Sequence, residues 1–266
     1  MDQIFRLDHL PRPGETMLAG DVLTVPGGKG ANQAVAAARV GGQVRMVARL
    51  GVDPFGRSLR GALVEAGVDV ADVRDDPAAA TGVALILLAE GVDNSIIVAS
   101  GANMRVAPAD LDAVDWRDVG VLLVQLEIPI GTVASDVAGM VITDVASATA
   151  AGQRLRSAEH QRVIVKLGGQ GLVVCDAGGC RHVPAIPVRG VDTTAAGDVF
   201  CGALAARLAA GAPFDAALRY AIAAGALAVT VLGAQPSLPT LAAVEDLLVE
   251  QTERPRLEAH ACGREP

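Results

Sequence analysis

The chain has 266 residues, enough for one large α/β domain, and carries a net charge of −8 with an isoelectric point near 5.0. That balance excludes a general affinity for nucleic acid or anionic membrane, both of which need a basic face. Hydrophobic residues make up 51% but aromatics only 2%, so the core must be built from small aliphatic side chains, and no apolar run reaches the ~18 uncharged residues of a transmembrane helix.

In chain order, Ile4-Phe5-Arg6-Leu7 alternates like a short strand and Pro11 to Glu15 reads as a loop. Val22 to Val25 reads as a strand, Pro26-Gly27-Gly28-Lys29-Gly30 as a tight turn and Ala31 to Val40 as an Ala-rich helix. Val44 to Leu50 fits a buried strand and Gly56 to Ala66 an amphipathic helix; Val83 to Leu88 and Ser95 to Ala99 fit a strand pair. Helical signal returns at Pro108 to Val114, and Val119 to Gln125 is a continuous apolar strand pattern ending near Glu127. Ala146 to Arg156 is helical, Arg162 to Leu167 a strand, and Leu172 to Cys175 with Arg181 to Val183 a hairpin. Gly197 to Ala210, Phe214 to Val231 and Thr240 to Gln251 are three helices, followed by a polar tail over 252–266 that is expected to fray. Alternating strands and helices predict a parallel sheet covered on both faces.

The start, Met1-Asp2-Gln3-Ile4, has neither the basic nor the apolar region of a signal peptide, so a cytoplasmic location is expected. Cys175 and Cys180 face each other across the hairpin pattern, yet free thiols are expected because nothing points to export. His9, His160, His182 and His260 are dispersed without metal-ligand spacing.

Two stretches carry chemistry. In Asp192-Thr193-Thr194-Ala195-Ala196-Gly197-Asp198 two carboxylates bracket small residues where a helix begins. A helix start offers unpaired N–H groups and a positive dipole end to an anion, and a carboxylate at its mouth can take a proton. An ordinary capping Asp reads the same way. Gly27-Gly28-Lys29-Gly30-Ala31-Asn32 lacks the Ser or Thr that a P-loop needs after Gly-Lys, and Gln33 stands where a dinucleotide fingerprint needs Gly. What remains is either a plain turn or bare backbone presenting Lys29 and Asn32 at a helix start. Glu127, directly after an apolar run, is a ligand-contact candidate. Gly168-Gly169-Gln170-Gly171 fits a strand-to-strand turn, with phosphate contact as the alternative.

Together, Gly27 to Ala34 and Asp192 to Asp198 resemble the two signature regions of the ribokinase-type sugar kinases, the PfkB family. Pro13 to Thr16, Ser100 to Asn103, Gln125 to Glu127 and Gly233 to Ser237 extend the similarity from Asp2 to about Leu248. The resemblance implies a three-layer α/β fold with a mainly parallel central sheet. It also implies one domain over 1–251 that includes a discontinuous β lid at about 3–25 and 82–100. It implies ATP-dependent phosphorylation of D-ribose at O5, with another sugar or a nucleoside as the alternative substrate. Asp198 is implied as the base, with the amides of Ala195, Ala196 and Gly197 as the anion hole. Asp2, Gly28, Lys29, Gly30, Ala31, Asn32, Glu127 and Asp198 match sugar-binding positions. Lys166, Leu167, Gly168, Gly169, Gln170, Gly171 and Gly197 match the ATP-binding segment. Asp192, Thr194, Ala228, Val231, Gly233 and Ser237 match a potassium site, and Mg2+ is implied with ATP. A homodimer through the lid is implied as well.

The pattern is departed from in two places. The family's opening strand would precede Asp2, and between Val133 and Val137 roughly forty residues have no counterpart, more than one βαβ unit. The missing part includes the Asn-x-x-Glu segment that organises magnesium, so a sugar-binding remnant without turnover is the reading from another class. Ile222 stands where such chains often carry a polar residue near adenine.

Overall fold

The computed structural model describes residues 1–89, 95–111, 114–115, 117–125, 127 and 143–261, with the stretch 252–261 described by its backbone alone. The elements in chain order are β1 (Asp2–Leu7), β2 (Leu23–Val25), α1 (Lys29–Arg39), β3 (Ala48–Gly51), α2 (Pro54–Glu65), β4 (Val73–Asp76), β5 (Val83–Ala89) and β6 (Ser95–Ala99). They continue as α3 (Val145–Leu155), β7 (Val163–Lys166), β8 (Leu172–Asp176), β9 (Gly179–Val183), α4 (Ala196–Ala209), α5 (Phe214–Ala228) and α6 (Leu241–Ala261).

The strands form three groups. One is a four-stranded sheet of order β2-β1-β5-β6, in which β1 runs parallel to β5 and the outer pairs are antiparallel. Ile4, Val25 and Ile86 pack together on one face of β1, β2 and β5, while β6 leaves the consecutive Ile96, Ile97 and Val98 exposed on both faces. Asp2 is the first residue of β1, so this sheet carries a carboxylate at its base. The second group is the parallel pair β3 and β4, joined by α2. Asp53 caps α2 by accepting from the Gly56 amide, and Pro54 occupies the first turn, where its missing N–H costs nothing.

The third group is the antiparallel ladder β7-β8-β9, with α3 packed against it. Asp144 and Ser147 cap α3 reciprocally. Cys175 lies directly opposite Cys180 with Cα atoms 4.0 Å apart, and the two form a disulfide. The expectation of free thiols is therefore overturned: the hairpin register alone brings the pair within bridging distance. Of the other two cysteines, Cys201 is a free thiol.

The core lies where α1, α4 and α5 meet, and it is built from Ala34, Ala36, Ala37, Ala203, Ala206, Ala221, Ala224 and their neighbours. A buried alanine contributes far less than the roughly 1.5–3 kcal/mol of a buried Leu or Val, so such a core depends on close approach. Gly202 supplies it. A methyl group there would sit 2.4 Å from the Gln33 carbonyl oxygen, so α4 rests on the backbone of α1.

The structure departs from the sequence reading in the strand layer. Val119 to Gln125 forms no ladder with any described strand, and Val119, Leu122, Leu123 and Val124 are 42–61% exposed. An apolar, β-branched run meets the pattern of a buried strand, but a strand also needs a neighbour. A cavity of about 1390 Å³ lies there instead, lined by Met46, Ala48 and Leu50 on one side and Val119 to Val124 on another. Among the described residues of Pro108 to Val114, Pro108–Asp110 forms a 3-10 turn, and Asp110 turns inward to a two-pronged bond with Arg49. The backbone of α6 stays helical through Ala261, past the point where a frayed tail was expected. The expected gap between Val133 and Val137 lies outside the described residues.

Candidate active site

Two local devices open the site. At the start of α1, Gly28 adopts φ 91°, ψ 131°, a conformation closed to residues with a Cβ, and its carbonyl accepts the Asn32 amide. Gly27 beside it has no room for a side chain: a methyl group would lie 2.0 Å from the Asp2 carboxylate. These glycines let the base of β1 and the start of α1 come together. At the start of α4, Ala195 has φ 62°, the left-handed region that alanine rarely enters, and it is the only such non-glycine among the described residues. The Ala196 amide bonds to the Thr193 carbonyl at 3.3 Å, while those of Ala195 and Gly197 have no partner among the described residues.

The contact of α1 with α4 then places Asp198 against the first turn of α1. Asn32 Nδ2 donates to Asp198 Oδ2 at 3.2 Å and Gln33 Nε2 donates to Oδ1 at 2.9 Å. Burial pushes the Asp198 carboxyl above the ordinary carboxylate range; the bonds from Gln33 and Asn32 and the charges of Lys166 and Lys29 oppose the rise without cancelling it. Burial also raises Asp2, with Asp198 and Glu127 adding repulsion, against the lowering field of the chain's amino terminus. Asp198 is thus a carboxylate poised to accept a proton.

One atom is left over. Asn32 Oδ1 is buried and has no hydrogen-bond partner among the described residues, although an unpaired buried acceptor costs about 1–3 kcal/mol. A hydroxyl donor beside Asp198 would satisfy it.

Asp2, Gly28, Lys29, Gly30, Ala31, Asn32, Glu127, Ala195 and Asp198 line one cavity, the large one described above. Lys29 and Glu127 form an ion pair at its edge. Lys166, at the end of β7, donates to the Gly197 carbonyl at 3.1 Å and so joins the start of α4. Leu167 to Gly171 follow as a tight turn, closed by the bond from the Leu167 amide to the Gly171 carbonyl, and they do not line the cavity. Of the expected cation ligands, Asp192, Thr194 and Gly233 are bonded together, and Thr194 also lines the cavity. Asp192 Oδ1 accepts from the amide and hydroxyl of Thr194, and its Oδ2 accepts from the Gly233 amide at 2.8 Å. Ala228 and Val231 are bonded to each other at the end of α5, and the buried Ser237 donates to the Ala234 carbonyl. An all-oxygen donor set of carbonyls, hydroxyls and one carboxylate suits a hard cation. Among the described residues no three His, Cys, Asp or Glu side chains cluster as a metal site, and no helix is long and apolar enough to cross a membrane.

Gln33 and Gln125 were missed. Gln125 Nε2 donates to Gln33 Oε1 at 2.6 Å, which completes a chain to Asp198. Gln33 had entered only as the residue that breaks a glycine fingerprint; its place beside Asn32 in the first turn of a glycine-opened helix was the available signal.

Comparison with known proteins gives the family and the fold. The family model described as pfkB family carbohydrate kinase matches residues 1–126 and 132–241. A ribokinase of Bacillus subtilis is 37% identical over an alignment of 284 positions, covering 93% of this chain and 96% of that protein. The alignment is longer than the chain, so the relative holds residues without a counterpart here. A ribokinase of Haemophilus influenzae is 31% identical, covering 90% of this chain and 92% of its own length. Among solved structures, Arabidopsis thaliana ribokinase complexed with ribose and ATP superposes with a TM-score of 0.81 at 30% identity, covering 93% of this chain and 95% of that one.

Proposed function

Because the chain belongs to the pfkB family of carbohydrate kinases, we propose that it is a phosphotransferase that moves the γ-phosphoryl group of ATP to O5 of D-ribose. The observation that carries this reading is the unpaired Asn32 Oδ1 beside the raised Asp198 carboxylate, an acceptor and a base side by side at one cavity wall. In the reaction the O5 hydroxyl attacks the γ-phosphorus, its proton passes to Asp198, and the bond from that phosphorus to the β–γ bridging oxygen breaks, releasing ADP. The Ala195, Ala196 and Gly197 amides stabilise the charge on the transferring phosphoryl oxygens.

Asp2, Gly28, Lys29, Gly30, Ala31, Asn32 and Glu127 hold the sugar. Several polar groups in a closed site suit a polyol, since each group left unpaired there is costly. ATP lies along Lys166 to Gly171, with Lys166 joining that turn to the anion hole. Mg2+ bound with ATP supplies charge neutralisation at the phosphates. Asp192, Thr194, Ala228, Val231, Gly233 and Ser237 hold K+, which stiffens the loop leading to Ala195. Replacing K+ by a large organic cation is expected to lower the rate severalfold, and indifference to the cation would remove this assignment. Exposed Leu23, Ile96, Ile97 and Val98 on the lid sheet support a homodimer through the lid, which sedimentation equilibrium tests.

The deciding experiment is coupled ADP release with ribose, Mg2+ and K+, run beside fructose, 2-deoxyribose and nucleosides. Turnover with ribose preferred supports the proposal, and equal rates on fructose and ribose sink the specificity. Calorimetric ribose binding without turnover would favour a binding remnant, the reading motivated by the absent Asn-x-x-Glu segment.

A further inference from the structure

The base at the proposed site does not stand alone. Both oxygens of Asp198 receive an amide donor, but the two bonds differ: Gln33 holds Oδ1 at 2.9 Å and Asn32 reaches Oδ2 at 3.2 Å. Gln33 is only 5% exposed. Its side-chain carbonyl accepts from Gln125 Nε2 at 2.6 Å, so the amide cannot turn over without breaking that bond and presenting an oxygen to the carboxylate. Gln125 in turn comes from the 119–125 segment, which joins no sheet among the described residues.

We propose that Gln33 and Gln125 are positioning residues. Gln125 sets the direction of the Gln33 amide, and Gln33 pins Oδ1 of Asp198, so that Oδ2 is the oxygen that takes the substrate proton. This rests on the phosphoryl-transfer reading above. The arrangement also favours the ionised form of the base against burial. Charged groups face Asp198 from several elements: Lys29 at the start of α1 and Lys166 at the end of β7 favour the carboxylate, while Asp2 on β1 disfavours it. Beyond Asp2 lie Glu127 and the chain's amino terminus. Against burial, the Gln33 bond is the largest of the opposing influences. A hydrogen bond to the charged form holds a carboxylic acid's titration low, and its loss lets the titration rise.

The test compares Q125E, Q125L and Q33L with the parent chain. The carboxylate introduced by Q125E has only acceptors, so it turns the Gln33 amide around and sets a carbonyl oxygen against Asp198. Q125E is therefore expected to move the acid limb of kcat upward by about one pH unit, up to a tenfold loss on that limb. Q33L should move it in the same direction, Q125L should move it less, and ribose KM should change little. An acid limb that stays in place in both Q125E and Q33L, with rates lowered equally at every pH, overturns the proposal in favour of plain packing. Gln125 is partly exposed, so Q125E guards against a misfolded Q33L. A carbon-13 titration of the Asp198 carboxyl in the same proteins reads the shift without turnover. If the parent chain releases no ADP with any sugar, the kinase reading fails, while the carboxyl titration still decides whether Gln33 and Gln125 act on Asp198.

Discussion

The seam between α1 and α4 and the strand layer beside it are made from the same small aliphatic residues and reach opposite outcomes. At the seam, Gly202 lets two helices meet at backbone distance, and every described polar contact of Asp198 depends on that approach. In the strand layer, β3 and the 119–125 segment both line an open cavity of about 1390 Å³, and among the described residues no ladder joins them. A helix satisfies its own backbone and needs a neighbour only for packing, whereas a strand needs a partner for its hydrogen bonds. The direct hydrogen bonds of Asp198 therefore come from the helix pair, and the 119–125 segment reaches it only through Gln125 and Gln33.

The contrast can be broken most severely at the base. Asp198→Asn is expected to lower turnover by about 10²–10⁴-fold, the usual contribution of a general base, with calorimetric ribose affinity largely retained. Retention of more than about a tenth of the parent rate would count against the role. Next comes the seam. Gly202→Val forces a side chain against the Gln33 carbonyl and should cost about 1–3 kcal/mol of stability. It should also lower kcat by on the order of 10²-fold through misplacement of Asp198, and denaturant melts with initial rates read the two separately. An unchanged rate would mean that the helix contact does not position the base. The smallest effect lies across the cavity. Ala48→Ile adds volume and a strand-favouring residue at the edge of β3, and should stabilise by about 0.5–2 kcal/mol with a rate within twofold of the parent. A large change in rate there would show that the strand layer takes part after all.

The reach of the sequence divides along the same line. Helix starts are written in local chemistry: Gly27 and Gly28 before α1, Asp53 and Pro54 before α2, and the small residues before α4 all sit within a turn of the feature they create. The β5–β6 and β8–β9 pairs were readable for a similar reason, since each is closed by a short connection. Val119 to Gln125 was not, because its apolar pattern says nothing about what lies alongside. Glu127 and Lys29 were each singled out, but their pairing joins residues 98 apart. Asp198 and Gln33 meet across 165 positions. The disulfide was visible as a register and was set aside on grounds of compartment, a consideration the hairpin geometry does not contain.

Ala195 carries one more consequence. A glycine would enter φ 62° without strain, yet it would also visit many other conformations when no phosphate is present. Alanine accepts a steric cost on the order of 1–3 kcal/mol and in return has fewer states to lose, so less conformational entropy is surrendered when the anion arrives. An Ala195→Gly chain would therefore be relieved of strain at rest and penalised in binding, with the difference appearing in the entropy of nucleotide association rather than in its enthalpy.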